Sequence, residues 1–339
     1  MIGDGRELSK TFNENSVFVV AEDAKKITKF IKEFIDINAD KILKIKEYDR
    51  IGYDKSDNYL APTLNINDNI TFTDDINLKV ARKGDAGKQI EFLKNIFINH
   101  AGVSLIISAG LAGLLIKPLN LNNFVIFTSG RTGTGKTLAN QIMLSIFGNP
   151  DRLKNNLNST TVGEEILFSK FLDFPILLDE LETAQTTAEK INNTLVNLIY
   201  SFQSGIGRTR SQKNLHLRET AIYRGLLFIT SERSVSSILS DNSTQKANLG
   251  VYLRTLEIND KIKLFADNVN YAEIADEINK NYGHILPEWL AGYIPDELLQ
   301  LLGYKDFEKL LKSIAGFKDP VRIDKVISGL VNVIKGFTD

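Results

Sequence analysis

The chain has 339 residues, 43% of them hydrophobic and 24% charged; this balance excludes a wholly disordered, collagen-like or low-complexity chain, and the length is that of about two domains. Lys and Arg number 41 against 42 Asp and Glu, a net charge of −1, which excludes a uniformly basic nucleic-acid coat but not a local basic patch. There is no Cys, so disulfides, thiol catalysis and Cys-ligated zinc are impossible, and His100, His216 and His284 are too far apart in sequence to suggest a metal cluster.

The start, Met1-Ile2-Gly3-Asp4-Gly5, lacks the basic head and apolar core of a signal peptide. Ser16–Val20 is a short apolar run suited to a strand. Ile27, Phe30, Ile31, Phe34 and Ile35, then Ile42, Leu43 and Ile45, fall near helical spacing over Ala21–Tyr48. Asn38-Ala39-Asp40 reads as a turn between two helices there. From Tyr53 to Asp75 the chain is rich in Asn and Asp, with Pro62 and the β-prone Ile70-Thr71-Phe72, and reads as short strands and loops. Gln89–Ile116 reads as helices. Its most apolar part, Ala101–Ile116, is shorter than the ~18–20 residues that span a bilayer, so a buried helix and a soluble, cytoplasmic protein without a membrane partner are expected.

Apolar strands and helical segments then alternate. Phe124–Phe127, Phe174–Leu178 and Gly225–Ile229 read as buried strands, and Leu138–Phe147 and Ala188–Phe202 as helices. This order predicts a mainly parallel sheet flanked by helices. The expected division is an N-terminal accessory α/β domain over 1–87, a core over 88–260 and a helical C-terminal region over 261–339.

The most informative segment is Gly130-Arg131-Thr132-Gly133-Thr134-Gly135-Lys136-Thr137. It fits the phosphate-loop pattern of Gly, four residues, then Gly-Lys-Ser/Thr, and it lies between a strand and a helical segment as that loop requires. Glycines let the backbone curl so that successive N–H groups face phosphate oxygens, and the following helix adds its positive end. Lys136 is expected to reach the β- and γ-phosphates of ATP, and Thr137 to be a ligand of Mg²⁺. Downstream, Phe174–Leu178 runs into Asp179-Glu180. A parallel neighbouring strand would bring both carboxylates to the phosphates, Asp179 to hold Mg²⁺ and Glu180 to polarise the attacking water. That pair favours an ATPase over a kinase. Asp173 and Glu182 are out of register with the strand end and are expected to be surface charges.

Lys190 to Arg218 holds five basic residues and no acid. Arg208, Arg210, Lys213 and Arg218 follow the loop signal Ser204-Gly205-Ile206-Gly207, and Leu215–Leu217 with the segment around Tyr223 could form a hairpin. Such a hairpin suits a DNA backbone, with Arg208, Arg210 and Lys213 as contacts; arginines pairing across a subunit interface, or plain solvation, are the alternatives. The third strand ends in Thr230-Ser231-Glu232-Arg233, where Thr230 or Ser231 would lie between the phosphate loop and the acids. Either could bond the γ-phosphate or the water, or simply cap the helix at Ser234. Val251–Ile258 reads as a strand carrying a single cation, Arg254, suited to a neighbouring subunit's γ-phosphate or to a structural ion pair.

Taken together, these stretches resemble domain-of-unknown-function family 927, which occurs in helicase-like proteins of phages and mobile elements. The likeness rests on Arg50-Ile51-Gly52-Tyr53 with Tyr59-Leu60-Ala61-Pro62, Ser129 to Thr137 with Ser145 to Pro150, and Leu178-Asp179-Glu180. It also rests on Gly205 to Arg210, Thr230-Ser231-Glu232, Leu249 to Arg254 and Asn281-Tyr282-Gly283. It covers about residues 5 to 295. Arg208 stands where the family usually has Lys, and Ser231 where it usually has Gly. The resemblance implies an α/β fold: a P-loop NTPase core of AAA+ type, with a small N-terminal α/β domain and a helical C-terminal part. It further implies a ring, a hexamer of the chain with itself, acting as an ATP-dependent DNA helicase in replication initiation of a mobile element. The rival expectation is an ATP-gated module that assembles on an origin and recruits a separate helicase. A remodeller of protein substrates would need an aromatic pore loop, and the hairpin is basic instead.

Overall fold

The computed structural model describes residues 10, 14, 21–38, 45–56, 58–64, 69–117, 120–157, 161–184, 187–207, 220–240 and 245–290. The expected strand over Ser16–Val20, the basic residues Arg208, Arg210, Lys213 and Arg218, and the expected helical tail beyond residue 290 lie outside them. Contacts divide the chain into two units: Met1–Lys46 with Asn67–Thr71, and Glu47–Ile66 with Phe72–Asp339.

In the first unit, Ala21–Ile37 forms helix α1. Asn38 closes it, its backbone N–H and its side-chain amide both donating to the Phe34 carbonyl, at 3.1 and 2.8 Å. The helical spacing does not continue as far as Tyr48: Lys46–Tyr48, which begins at the last residue of this stretch of the first unit, is a strand, β1. Lys46 N–H bonds the Asn69 carbonyl at 2.7 Å, and a partner so distant in sequence overrides a local periodicity.

The second unit opens with short strands, Gly52–Tyr53 (β2) and Tyr59–Leu60 (β3), paired antiparallel. Ile70–Phe72 (β4), whose first two residues belong to the first unit, comes next in the chain, and the helices Asp74–Lys79 (α2), Ala86–Asn99 (α3) and Ala101–Gly113 (α4) follow in the second. Helix α4 is buried along most of its length, as its apolar composition predicts. No described helix is long and apolar enough to cross a membrane.

Phe124–Ser129 (β5) leads into Lys136–Ser145 (α5). Next come Pro150–Leu153 (α6), Lys154–Asn156 (β6), Thr161–Lys170 (α7) and Phe174–Asp179 (β7). Ala188–Ser204 (α8), Gly225–Ser231 (β8), Val235–Ser240 (α9), Gln245–Tyr252 (α10) and Thr255–Ile258 (β9) complete the sheet and its helices. Tyr271–Lys280 (α11) and Ile285–Leu290 (α12) close the described chain.

Strands β5 to β9 form one five-stranded sheet in the order β6-β7-β8-β5-β9, and every neighbouring pair is parallel. β7 and β8 are buried at every position, which explains why they read as unbroken apolar runs. Helices α4 and α5 pack on β7 and β8, and α8 packs on β5. Strand order reverses at β5: the three preceding sheet positions lie on its one side and β9 on the other. Such a reversal leaves a crevice at the carboxyl edge, where ligands bind in open parallel sheets.

Two readings need correction. Val251–Ile258 is not one strand, because helix α10 runs to Tyr252 and β9 begins only at Thr255. Gly250 permits this: a Cβ there would run into the Tyr200 hydroxyl of α8. The acidic strand, moreover, is not the neighbour of β5, since β8 lies between them.

Candidate nucleotide site

The register of the sheet decides which side chains meet. Thr128 of β5 pairs with Thr230 of β8, and Ile229 with Leu178 of β7. Asp179 therefore stands level with Thr230 at the carboxyl edge. The segment Gly130–Gly135 leaves β5 at that same edge and turns into α5. Gly135 has φ 82°, and a Cβ there would come within 2.6 Å of the Phe265 ring. Gly133, also at φ 82°, has open space where its Cβ would be. Both positions favour glycine, the first to let the loop lie on a ring, the second at an open surface.

Lys136 curls back over the loop, its Nζ donating to the carbonyls of Gly130 at 2.7 Å and Arg131 at 2.9 Å. Thr134 Oγ1 also donates to Arg131 O, at 2.9 Å. Thr137 Oγ1 donates to Asp179 Oδ1 at 2.9 Å, and Thr230 Oγ1 donates to the same oxygen at 2.6 Å. Lys154 Nζ lies 3.9 Å from the other oxygen, Oδ2. Asp179 is thus buried with three partners drawn from β6, β8 and α5. Glu180 follows in a left-handed conformation, φ 57°, unusual for a residue with a side chain. Its N–H donates to Thr230 Oγ1 at 2.9 Å. Thr230, 1% exposed, is a bridge between the two acids.

Asp173 is not a surface charge, and Glu182, half-buried at the cleft, is engaged by the neighbouring turn. Glu182 Oε1 accepts from Ser231 Oγ at 2.5 Å, Glu232 N–H at 2.8 Å and Arg233 N–H at 3.3 Å, and so holds the turn that leaves β8. Glu232 in turn accepts from the Thr132 hydroxyl of the glycine-rich loop. Ser231 is therefore engaged with Glu182 rather than with Asp179. Asp173 is fully buried. It accepts from Arg224 Nε at 2.5 Å, Arg224 Nη2 at 2.7 Å and Tyr53 N–H at 3.1 Å. Its carbonyl accepts from the Tyr59 hydroxyl at 3.1 Å. Burial, and then the Asp173 charge, push the Tyr59 phenol well above its usual range, which keeps it a donor. These roles depend on groups 49 to 120 residues away, which no local pattern names.

Thr132, Gly133, Gly135, Lys136 and Thr137 line one side of a cleft of about 720 Å³, and Glu180, Glu182, Thr230, Ser231 and Glu232 line the other. Tyr271 at the start of α11 also borders it. Lys136, Thr137, Glu180 and Thr230 thus border one opening, with Asp179 buried behind the hydroxyls of Thr137 and Thr230. A hydroxyl and a carboxylate at hydrogen-bond distance are hard oxygen donors of the kind that suit Mg²⁺. Among the described residues no three His, Cys, Asp or Glu cluster as a metal cage, and Mg²⁺ is ordinarily held by one or two protein oxygens together with substrate phosphates.

Arg254 is not gathered there. It precedes Thr255 at the amino end of β9, and Thr255 pairs with Val125, four residues before Ser129. At about 3.3 Å per residue that is roughly 13 Å from the carboxyl edge. Its guanidinium lies over the Tyr200 ring at 4.8 Å, and Nη1 donates to Gly250 O at 2.9 Å. The described residues on either side of the basic run lie on the same amino side, tied to Asn123 and Gly225. These flanks pair antiparallel, Gly207 N–H to Ala221 O at 2.7 Å and Tyr223 N–H to Gly205 O at 2.8 Å. Buried Asn123 ties this stem to the sheet through Phe202 O, Tyr223 O and Gly225 N–H.

Residues 1–221 match the family model described as "Domain of unknown function (DUF927)". No curated protein matches the chain. Among solved structures, "SCCmec type IV Cch - active helicase" is 18% identical with a TM-score of 0.67. That match covers 98% of this chain and 63% of the other, so this chain spans less than two thirds of that relative. The mixed α/β fold with its parallel sheet is thus one that a helicase structure shares. A structure of JCV helicase with a bound acetamide compound is 13% identical, covering 73% and 72% of the two chains, at a TM-score of only 0.29.

Proposed function

The chain belongs to the DUF927 family, and from that premise we propose that it is an ATPase of helicase type that couples ATP hydrolysis to movement on DNA. One observation carries the reading: Thr137, directly after a glycine-rich loop that borders an open cleft at the sheet's switch point, donates to the buried carboxylate of Asp179 at 2.9 Å. The core would be a P-loop NTPase of AAA+ type over 88–260, with an accessory domain over 1–87 and a helical region over 261–339. The sheet order, with the β5 loop between β8 and β9, supports this.

In this reading the backbone amides from Gly133 to Thr137 hold the phosphates. Lys136 exchanges its two carbonyl partners for phosphate oxygens, a gain because a charge-assisted bond to an anion is the stronger one. Thr137 and Asp179 would hold Mg²⁺, which when bound neutralises phosphate charge. Glu180 orients and deprotonates the attacking water. Thr230 keeps the two acids in register and acts through them. Arg254 lies too far from its own chain's cleft to contribute there, so its role is in trans, in a ring, where it or an arginine of the basic run meets a neighbour's γ-phosphate. Arg208, Arg210 and Lys213 grip a DNA strand from the anchored stem. The setting would be the cytoplasm, during replication of a mobile element.

The test is ATP hydrolysis by the full chain, with and without single-stranded DNA, beside a solution mass measurement and a strand-displacement assay. DNA-stimulated hydrolysis that Lys136→Ala abolishes, with displacement, is expected. Nucleotide-dependent assembly without displacement would replace the motor by a loading module. Tight ATP binding by Lys136→Ala would remove the site.

A further inference from the structure

A second hollow adjoins the phosphate cleft, and its chemistry is different. It encloses about 400 Å³ between the phosphate loop at Gly133 and Thr134 and the segment from Ile258 to Tyr271. Gly133 and Tyr271 border both spaces, so one ligand can run from one into the other. Its volume lies within the ~300–1,000 Å³ range of small-molecule sites.

Its wall is aromatic. Phe265, buried, packs directly under Gly135. His100 leans on one side of it, with ring centroids 5.4 Å apart, and Tyr271 stands edge-on to the other at 5.2 Å. Tyr271 is 40% exposed, so part of its ring faces open space at the junction of the two hollows. Asp260 lines this hollow too, set against the first glycine of the loop so closely that a Cβ on Gly130 would strike its carboxylate. An acid and an aromatic wall are unsuited to phosphate and suited to a flat heterocycle. The two compartments therefore give a bound nucleotide a polarity, triphosphate along the glycine loop and base toward Tyr271.

We infer that Tyr271 is the base-stacking residue of this site, and that the hollow between the phosphate loop and residues 258–271 takes the purine nucleoside half of the nucleotide. The inference rests on the ATP-site reading and adds to it the place and the residue that distinguish a nucleotide from a bare polyphosphate. An aromatic stack of this kind contributes affinity without choosing among bases. The site thus discriminates nucleoside triphosphate from inorganic polyphosphate more sharply than one purine from another.

The experiment is calorimetric titration of the full chain with two probes in the presence of Mg²⁺, ATP and inorganic tripolyphosphate. Tyr271→Ala is expected to weaken ATP about five- to 150-fold, the range for loss of one base–aromatic stack, and to leave tripolyphosphate unchanged. Tyr271→Phe, which keeps the ring, restores ATP affinity. Unaltered ATP affinity in Tyr271→Ala, or equal weakening of both probes, would overturn the inference. Lys136→Ala separates it from the reading beneath. If that variant loses tripolyphosphate while Tyr271→Ala binds ATP normally, only the stacking role is wrong; if Lys136→Ala changes neither probe, the phosphate site itself is wrong and the inference goes with it.

Discussion

Thr230 carries a load out of proportion to its size, and replacing it with Val tests the geometry directly. The substitution keeps the shape and removes the hydroxyl. Asp179 then loses a 2.6 Å bond from a buried donor; a hydrogen bond to a charged group contributes about 1.5–3 kcal/mol. The lower half of that range applies, because Thr137 and Lys154 still face the carboxylate. Glu180 N–H loses its acceptor at 2.9 Å, at a cost of about 1 kcal/mol where water can replace the partner. The sum is roughly 2.5–3.3 kcal/mol of stability. Equilibrium urea unfolding of the full chain reads it, with Thr230→Ser as the control that keeps the hydroxyl and loses one methyl, about 0.8 kcal/mol. ATP turnover by Thr230→Val should fall as well, since the left-handed backbone of Glu180 is no longer pinned. A Val variant within 0.5 kcal/mol of wild type (~ the scatter of neutral surface changes), or a Ser variant as unstable as Val, would refute the bridging role.

Other outcomes are expected from the same geometry. Glu180→Gln should bind ATP normally and hydrolyse it about 10²–10⁴-fold more slowly, the range for loss of a positioned base; single-turnover kinetics would expose an unaffected chemical step. Replacing Arg208, Arg210 and Lys213 together with Ala should weaken DNA binding and lower the steepness of its salt dependence; an unchanged slope would move these residues to a subunit interface. His100 Nδ1 accepts Ala266 N–H at 3.1 Å, which requires an unprotonated nitrogen, and burial pushes its pKa below the ordinary value. The folded state therefore takes up a proton less readily than the unfolded chain, so this contribution is present above pH ~6.5 and is lost as pH falls through the folded pKa. Melting curves at pH 7.5 and 5.5 should show that loss in wild type and less of it in His100→Gln; equal acid sensitivity of the two would remove His100 as its source.

The candidate loop and strands could be read from the chain because their pattern is local. Gly130 to Thr137 carries in eight consecutive residues both the backbone freedom and the side chains that a phosphate loop needs, and the unbroken apolar runs of β7 and β8 announce a sheet buried on both faces. Neighbours across the sheet could not be read. That β8 separates β5 from β7, that Thr230 therefore joins Asp179 to Glu180, that Asp173 is buried and that Glu182 is tied to the turn after β8 all follow from strand order and register, which are set by packing between segments far apart in sequence. Val251–Ile258 is open to misreading for the same reason: an octet of mixed apolar residues has no decisive period, and the end of α10 at Tyr252, packed by Gly250 against Tyr200, and the start of β9 at Thr255 are tertiary facts. Local composition determined the loop and the strand type; long-range packing alone decided which side chains face one another across the opening.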